Sequence, residues 1–273
     1  KKTVNKGNLG IFLKRGSEPD SLFMQLFSQL RNPDLRLNQA PEIDDLSREY
    51  DYVVVATGNS IYPEMMGCWH RWLNTYVMGS VVHGSFNPHE LKVWINKDYC
   101  KRGYAYLTPF SETKASMVLI VTDVNEKEVD DYWELFLTSE NIEYKIMEEF
   151  KIEHNSGLVY PLNVGNIIFA GNAGGAIDPF LGFGQFNSLT MGVMAARSIV
   201  FQKDYETLLT SMRKKNLNML QFRKIFNKLN NNGYDVLITS IGLPGIKQLV
   251  YNTSLNIVKY MAALLKRIPA EKL

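Results

Sequence analysis

The chain lacks the features that mark a disulfide-stabilised, metal-binding, nucleic-acid-binding or membrane-spanning protein. Two cysteines in 273 residues cannot form a disulfide framework, and no C-x-x-C pair or His/Cys cluster suggests a metal site. The four histidines are scattered without the spacing of a catalytic triad. A net charge of +2 gives no basic excess for nucleic acid. No apolar run approaches the roughly 18 residues that a bilayer requires. These absences favour a protein of a reducing cytosol without a nucleic-acid partner.

What the chain does contain is a glycine-rich segment between a short strand and a helix. The apolar run at 167–170 predicts a strand that is buried on both faces. Glycines in the turn that follows let the backbone bend sharply and approach a ligand. A helix is predicted to begin near Gly184, with its free N–H groups and partial positive charge facing the turn. The segment predicts a cradle for a phosphate or an electron-rich carbonyl. The alternative is a turn that is tight only for packing.

This segment resembles the second flavin motif of the geranylgeranyl reductases and aromatic hydroxylases, a superfamily of FAD-dependent oxidoreductases. That motif runs strand, Gly-Asp-Ala-Ala/Gly, a short spacer, Pro, a second spacer and Gly-x-Gly. The matching residues are Gly171, Asn172, Ala173, Gly174, Pro179, Gly182, Phe183 and Gly184. The resemblance implies that the turn contacts the ribityl chain and pyrophosphate of FAD and that the helix faces the pyrimidine edge of the ring. A helix N-terminus there would stabilise the charge of reduced flavin.

One position departs from this motif. The family has an aspartate that accepts a hydrogen bond from a ribityl hydroxyl, and this chain has Asn172 there. An amide oxygen also accepts a hydrogen bond, although without the assistance of a negative charge. We therefore expect Asn172 to be the residue that binds the ribityl chain.

A segment near the N-terminus, 14–22, is similar to the family's Lys-Arg-Gly-x-x-x-x-Ser-Leu, which opens a helix beside the cofactor. Ser17 and Asp20 form a capping pattern that predicts a helix over 18–30. Arg15 precedes that helix and is the best candidate in the chain for a cation facing the phosphates. The alternative for Arg15 is a solvated surface side chain.

A second segment, 52–60, predicts a buried strand that ends at Gly58. It looks like the family's Ala-x-Gly-x-x-Ser element, at which a strand returns to the cofactor. We expect this strand and the strand at 167–170 to be central in one sheet.

A third segment, 102–109, is similar to the Gly-Tyr-x-Trp-x-Phe-Pro signature that lines the lipid cavity of the reductases. Period-two alternation places Tyr104, Tyr106 and Thr108 on one face of a strand. Tyrosine rings offer apolar surface with a polar tip, which suits an isoprenoid chain. Tyr106 stands where the family has Trp, and Thr108 where it has Phe. The alternative is an ordinary aromatic sheet face packed on a helix.

Together the motifs predict a mixed α/β chain: part of a Rossmann-like FAD-binding fold, with an inserted antiparallel-sheet domain and a C-terminal helical cap. The predicted parts are 1–60 and 151–202 for the FAD-binding domain, 61–150 for the substrate-binding sheet and 203–273 for the helical region. Within the insertion, strands are predicted at 77–84, 92–95, 103–109 and 115–122, and a helix at 125–137.

The family begins with a G-x-G-x-x-G motif in a βαβ unit, and none follows a strand near the start of this chain. We expect roughly 80 to 100 residues of an ordinary flavoprotein to lie upstream; a natural short form is the alternative. In either case this chain alone should hold FAD weakly or not at all, because half of the cradle is missing.

Beyond about residue 203, apolar residues recur at helical spacing with basic residues between them. Helices are predicted over 205–229 and 246–267, and the run 230–233 should end the first of them. The basic residues are Arg213, Lys214, Lys215, Arg223, Lys224 and Lys228. We expect a helical cap on the substrate side. The alternative is peripheral attachment to anionic lipid, from which a polyprenyl substrate would be drawn.

The resemblance implies a reductase that transfers a hydride from flavin N5 to a carbon–carbon double bond of an isoprenoid or lipid, followed by protonation. Such a reductase requires an electron donor, which the sequence does not identify. No residue stands out as the proton donor. Two alternatives remain open: a flavin monooxygenase on the same fold, and a non-catalytic isoprenoid- or lipid-binding protein.

Overall fold

The protein is described by a computed structural model that covers residues 13–14 and 16–241. Helices and strands are mixed along the chain, as the α/β prediction requires. The helices are α1 (Leu22–Phe27), α2 (Ile43–Glu49), α3 (Ile61–Met65), α4 (Lys97–Cys100), α5 (Val129–Ser139), α6 (Gln185–Phe201), α7 (Tyr205–Phe226) and α8 (Asn231–Ile241). The strands are β1 (Val53–Val55), β2 (Trp69–Leu73), β3 (Thr75–His83), β4 (Lys92–Trp94), β5 (Tyr104–Pro109), β6 (Lys114–Thr122), β7 (Lys145–Glu153), β8 (Ser156–Val159), β9 (Asn163–Val164) and β10 (Ile167–Phe169).

A three-stranded sheet joins the two motif strands, which are far apart in the chain. Its order is β1-β10-β9, and β1 runs parallel to β10 with Val54 opposite Ile168. All three residues of β10 are buried, as predicted. The predicted strand β1 is confirmed, but it is only partly buried, with Val55 in the core. Among the described residues no strand pairs with its other edge, and Val54 is 44% exposed.

The insertion forms a five-stranded antiparallel sheet in the order β4-β5-β6-β3-β7. Its four predicted strands and its helix are confirmed with small differences at their ends. One face packs on α4 and α5 through fully buried side chains such as Leu119 and Phe136. The edge strand β7 was missed, because both of its faces are largely exposed and it lacks a clear apolar alternation.

The rest of the fold includes a two-stranded sheet and the two longest helices, α6 and α7. β2 pairs with β8, with Trp69 opposite Val159. α7 is fixed to the core by the Tyr205 hydroxyl, which donates to the carbonyl of Phe169 at 3.2 Å. No helix within 13–14 and 16–241 has the length and apolar character needed to cross a bilayer.

Three predictions on helices need correction or fall outside the structure. α1 begins at Leu22 rather than 18, because Ser21 and not Ser17 is the cap: Ser21 Oγ accepts from the N–H of Met24 and donates to the carbonyl of Gly16. α8 begins within 230–233, the run that was predicted to be a helix end. Arg15 and the helix predicted over 246–267 lie outside the described residues.

Candidate functional site

The glycine-rich turn, the end of β1 and the start of α6 meet at one edge of the three-stranded sheet. Asn172 lies in a 3-10 turn after β10, and its Nδ2 donates a hydrogen bond to the carbonyl of Gly58 at 3.2 Å. A Cβ added to Gly184 would lie 3.0 Å from Asn172 Oδ1, so the start of the helix is adjacent as well. The turn, the end of β1 and the start of α6 are therefore neighbours in space.

Three glycines leave the backbone open on this side. Gly171 and Gly182 have φ angles of +61° and +73°, which residues with a Cβ rarely adopt. A Cβ on Gly171 would meet only Ser188, at 3.7 Å, and one on Gly182 only His154, at 3.9 Å. A Cβ on Gly58 would meet nothing within 4 Å. A ligand could therefore approach the main chain closely at all three positions.

Other residues of the motif serve packing. Gly174 has no room for a Cβ, because Met191 Cε lies against it and the Phe169 carbonyl oxygen would be 2.7 Å away. Ala173 and Pro179 are buried. For these positions the alternative interpretation, a turn made tight for packing, describes the geometry.

The N-terminus of α6 is an uncapped source of hydrogen-bond donors. Gly184 is its N-cap, no side chain caps it, and no acidic residue lies in its first turn. Its first intrahelical bond runs from Ser188 N–H to the Gly184 carbonyl at 2.8 Å, so the N–H groups before Ser188 have no intrahelical acceptor. Phe183 and Phe186 beside it are 66% and 77% exposed. The partial positive charge of this helix end favours an anion or a carbonyl oxygen.

The loop between turn and helix is tied to the five-stranded sheet. Asp178 Oδ1 accepts from the N–H groups of Phe180 and Leu181, at 2.8 and 2.7 Å. The hydroxyl of Tyr104 in β5 donates to the Leu181 carbonyl at 2.5 Å. Burial raises the pKa of Tyr104 above its ordinary value, which keeps this donor protonated.

A cavity of about 20 Å³, room for one water molecule, lies behind this loop. His154 and Arg223 line it. His154 Nε2 donates to the Gly182 carbonyl at 2.8 Å, and Arg223 Nη1 donates to the Phe180 carbonyl at 3.0 Å. Arg223 also donates to the carbonyl of Arg102, is 4% exposed, and has a pKa that burial lowers.

Sequence reasoning missed both of these residues. Arg223 was grouped with the basic residues that lie between the apolar ones, yet it occupies an apolar position of α7, four residues after Met219 and three before Phe226. A cation at such a position is a signal of a buried polar role. His154 has no comparable local signal, because its partner Gly182 is distant in sequence.

The predicted tyrosine face is confirmed as one face of β5. Tyr104, Tyr106 and Thr108 are half-buried, whereas Ala105 and Leu107 between them are buried in the core on the other face. The Tyr104 and Tyr106 rings lie 6.0 Å apart. The helices α4 and α5 cover the opposite face, that of Ala105 and Leu107, whereas Tyr104 lies beside Arg223 of α7.

This tyrosine face continues across the whole sheet as one cross-strand row. Each residue of the row is paired in register with the next across the five strands. From β4 to β7 they are Val93, Tyr106, Val118, Gly79 and Phe150. The Phe150 ring occupies the space that a Cβ on Gly79 would need. Val93 and Phe150 are 50% and 39% exposed. The next row on one side is polar, with Thr108 opposite Ser116.

No protein-family model matches this chain. The fold is similar to that of a geranylgeranyl bacteriochlorophyll reductase-like protein from Thermoplasma acidophilum, with a TM-score of 0.64 and 16% identity over 81% of this chain. It is also similar to the flavin-dependent halogenase CmlS (TM-score 0.52, 14% identity, 81% of this chain). A flavin-dependent halogenase from Xanthomonas campestris has a TM-score of 0.50 and 10% identity over 66% of this chain.

These likenesses show the fold at low identity. The chain shares its mixed α/β fold with this reductase-like protein and with the two flavin-dependent halogenases. It spans 60% of the Thermoplasma protein and 43% and 38% of the two halogenases.

Proposed function

We propose that the chain is part of an FAD-dependent oxidoreductase and that its cradle holds the flavin. The observation that carries this proposal is the Asn172–Gly58 hydrogen bond beside the uncapped start of α6. It brings open backbone, an amide side chain and a positive helix end together at one edge of the three-stranded sheet. This donor set fits the ribityl chain and the carbonyl-bearing edge of a flavin.

Each part of the cradle has a role in the proposal. Gly171 and Asn172 would contact the ribityl chain, and the N–H groups of 183–186 would face the pyrimidine edge. Arg15 remains the proposed phosphate contact on the sequence match alone. Bound FAD, once reduced, supplies the two electrons of the reaction.

We further propose an apolar, isoprenoid-like substrate and a geranylgeranyl reductase-like reaction. The sheet face supports this, since Val93 and Phe150 are exposed and Tyr106 is half-buried in one apolar row. Tyr104 connects that face to the loop of the cradle. The electron donor is a separate partner in this proposal.

Peripheral membrane contact is proposed for the exposed basic residues of α7 and the turn after it, namely Lys214, Lys215, Lys224 and Lys228. Arg223 does not belong to this set, because it is buried. Pelleting with vesicles of anionic lipid at low salt tests the contact, and a protein that stays in the supernatant would remove it.

A flavin monooxygenase is the second candidate, because the fold is equally that of enzymes whose reduced flavin reacts with oxygen. Two assays on the full-length protein separate the candidates. Loss of an alkene from an isoprenoid substrate under anaerobic conditions supports the reductase. Substrate-dependent oxygen consumption supports the monooxygenase.

Flavin binding is tested by titration of the full-length protein with FAD and by its absorption bands at about 375 and about 450 nm. Proline is tolerated at the first position of a helix and removes one N–H group there. Gln185→Pro at the start of α6 should therefore weaken FAD binding about tenfold, the effect of one charge-assisted hydrogen bond.

Gln185→Ala is the matched control, since it removes the same side chain and keeps the N–H group. Its FAD affinity should equal that of the parent protein. Equal affinity in the proline variant would show that the start of α6 does not hold the flavin. A protein that carries no flavin bands after saturation with FAD and removal of the free cofactor would favour the non-catalytic lipid-binding alternative.

A further inference from the structure

Four consecutive carbonyl groups of the loop before α6 all accept hydrogen bonds from the protein. They belong to residues 180–183. The donors, in that order, are Arg223 Nη1, the Tyr104 hydroxyl, His154 Nε2 and the N–H group of Asp178. The loop therefore presents its oxygen atoms to the interior of the molecule.

The N–H groups of 180–182 bond Asp178 within the loop, so among the described residues the free donors are those of Phe183 and Gly184. In a trans peptide the carbonyl group and the N–H group of the next residue point in opposite directions. The inward carbonyls of Gly182 and Phe183 thus turn the N–H groups of Phe183 and Gly184 away from the interior. Within 13–14 and 16–241 neither N–H group has a protein acceptor. Both precede α6 directly and extend its row of free donors.

Three of the four donors come from outside the loop. Tyr104 lies in β5, His154 directly follows β7, and Arg223 lies in α7. Arg223 also bonds the carbonyl of Arg102 at the start of β5, so a single buried guanidinium joins the loop, the sheet and the helix. The orientation of the loop is thus set by the substrate-side sheet and the helical region, rather than by the glycine motif alone.

We propose that Tyr104, His154 and Arg223 are positioning residues for the flavin. They hold the carbonyls of 180–182 inward, and the N–H group of Asp178 holds that of Phe183, so that the N–H groups of Phe183 and Gly184 face the cofactor, where they stabilise the negative charge of its reduced form. This inference rests on the proposed function. Without these donors the peptides are free to turn their oxygen atoms toward the flavin, which would destabilise the reduced form.

Tyr104 also links the apolar face of β5 to the loop before α6. Its ring lies 6.0 Å from that of Tyr106 on the apolar face, and its hydroxyl holds the Leu181 carbonyl. A substrate that packs against this ring acts on the loop through one hydrogen bond.

Two variants test the positioning role, and they avoid the fully buried Arg223. Tyr104→Phe removes one hydroxyl and keeps the ring, and His154→Leu removes the imidazole donor. His154→Gln restores an N–H donor and serves as the rescue. Tyr50→Phe and His83→Leu are the controls, because both side chains are exposed and distant from the loop in the fold.

The first readout needs no cofactor. Chymotrypsin cleaves after the aromatic residues of 180–183, and loss of one hydrogen bond should raise the native-state cleavage rate about tenfold. We expect this increase in Tyr104→Phe and His154→Leu, near-parent rates in His154→Gln, and parent rates in both controls. Unchanged cleavage in the two test variants would overturn the inference.

The second readout is the reduction potential of the flavin in the full-length protein. It should fall in Tyr104→Phe and His154→Leu and return toward the parent value in His154→Gln. Faster cleavage with an unchanged potential would show a merely structural role and would also overturn the inference. If the parent protein binds no flavin, the proposed function fails, whereas the cleavage series still reports whether these donors fix the loop.

Discussion

Asn172 stands where the flavin motif has aspartate, and the structure gives a reason to expect that restoring aspartate harms this chain. The Asn172 amide donates to the Gly58 carbonyl at 3.2 Å, and this bond joins the glycine-rich turn to the end of β1. A carboxylate has no N–H donor. Asn172→Asp therefore loses the bond and places a negative charge against a carbonyl oxygen.

The size of this effect follows from the contact. A hydrogen bond of this kind contributes about 0.5–1.5 kcal/mol, and the repulsion adds only a fraction because the site is half-buried and screened. We expect the free energy of unfolding to fall by about 1–2 kcal/mol, which lowers Tm by roughly 2–6 °C in a chain of this size.

Urea denaturation of the flavin-free protein is the assay. Asn163→Asp in β9 is the matched control, since Asn163 is exposed and the substitution introduces the same charge. Its midpoint should stay near that of the parent. If Asn172→Asp is as stable as the parent or more stable, the turn and the strand end are not joined by this amide, and the cradle geometry is wrong.

The other predictions concern burial. Both cysteines are buried, and burial raises the pKa of Cys100 to about 12, so neither Cys68 nor Cys100 should react with a thiol reagent at pH 8 until denaturant is added; rapid labelling of the folded protein would contradict this. Gly79→Ala should lower the free energy of unfolding by about 1–3 kcal/mol, because the new Cβ displaces the Phe150 ring. Phe150→Leu should restore part of that loss in the double variant. Additive losses of stability would show that the two sites are independent. The free energy of unfolding should be constant up to about pH 10 and fall above that pH, because a buried tyrosine ionises more readily in the unfolded chain than in the folded one. A urea midpoint that stays level to pH 11 would refute this prediction. The tyrosines whose pKa burial raises most are Tyr99, Tyr104 and Tyr205.

The sequence predicted those elements whose signals are local. The strand, turn and helix around Gly171 and Gly184 were identified because glycine spacing and helix starts are encoded within a few residues. The tyrosine face of β5 followed from alternation alone. These local signals also supported the resemblance to the flavin motif.

The features that were missed depend on partners far along the chain. The exposure of Val54 is decided by what packs on its face of the sheet, and not by the apolar run that contains it. The cap of α1 is an exception, since its partners are local: Ser21 rather than Ser17 caps the helix, through hydrogen bonds with Met24 and Gly16. Arg223 and His154 reach the loop from α7 and from the end of β7, and no spacing rule connects them to it.

The most direct test of the central claim is amide hydrogen exchange of the full-length protein with and without FAD. We expect FAD to slow exchange at 171–173 and at 183–187, the turn and the start of α6. Slowed exchange elsewhere in the chain, with these two segments unchanged, would contradict the account.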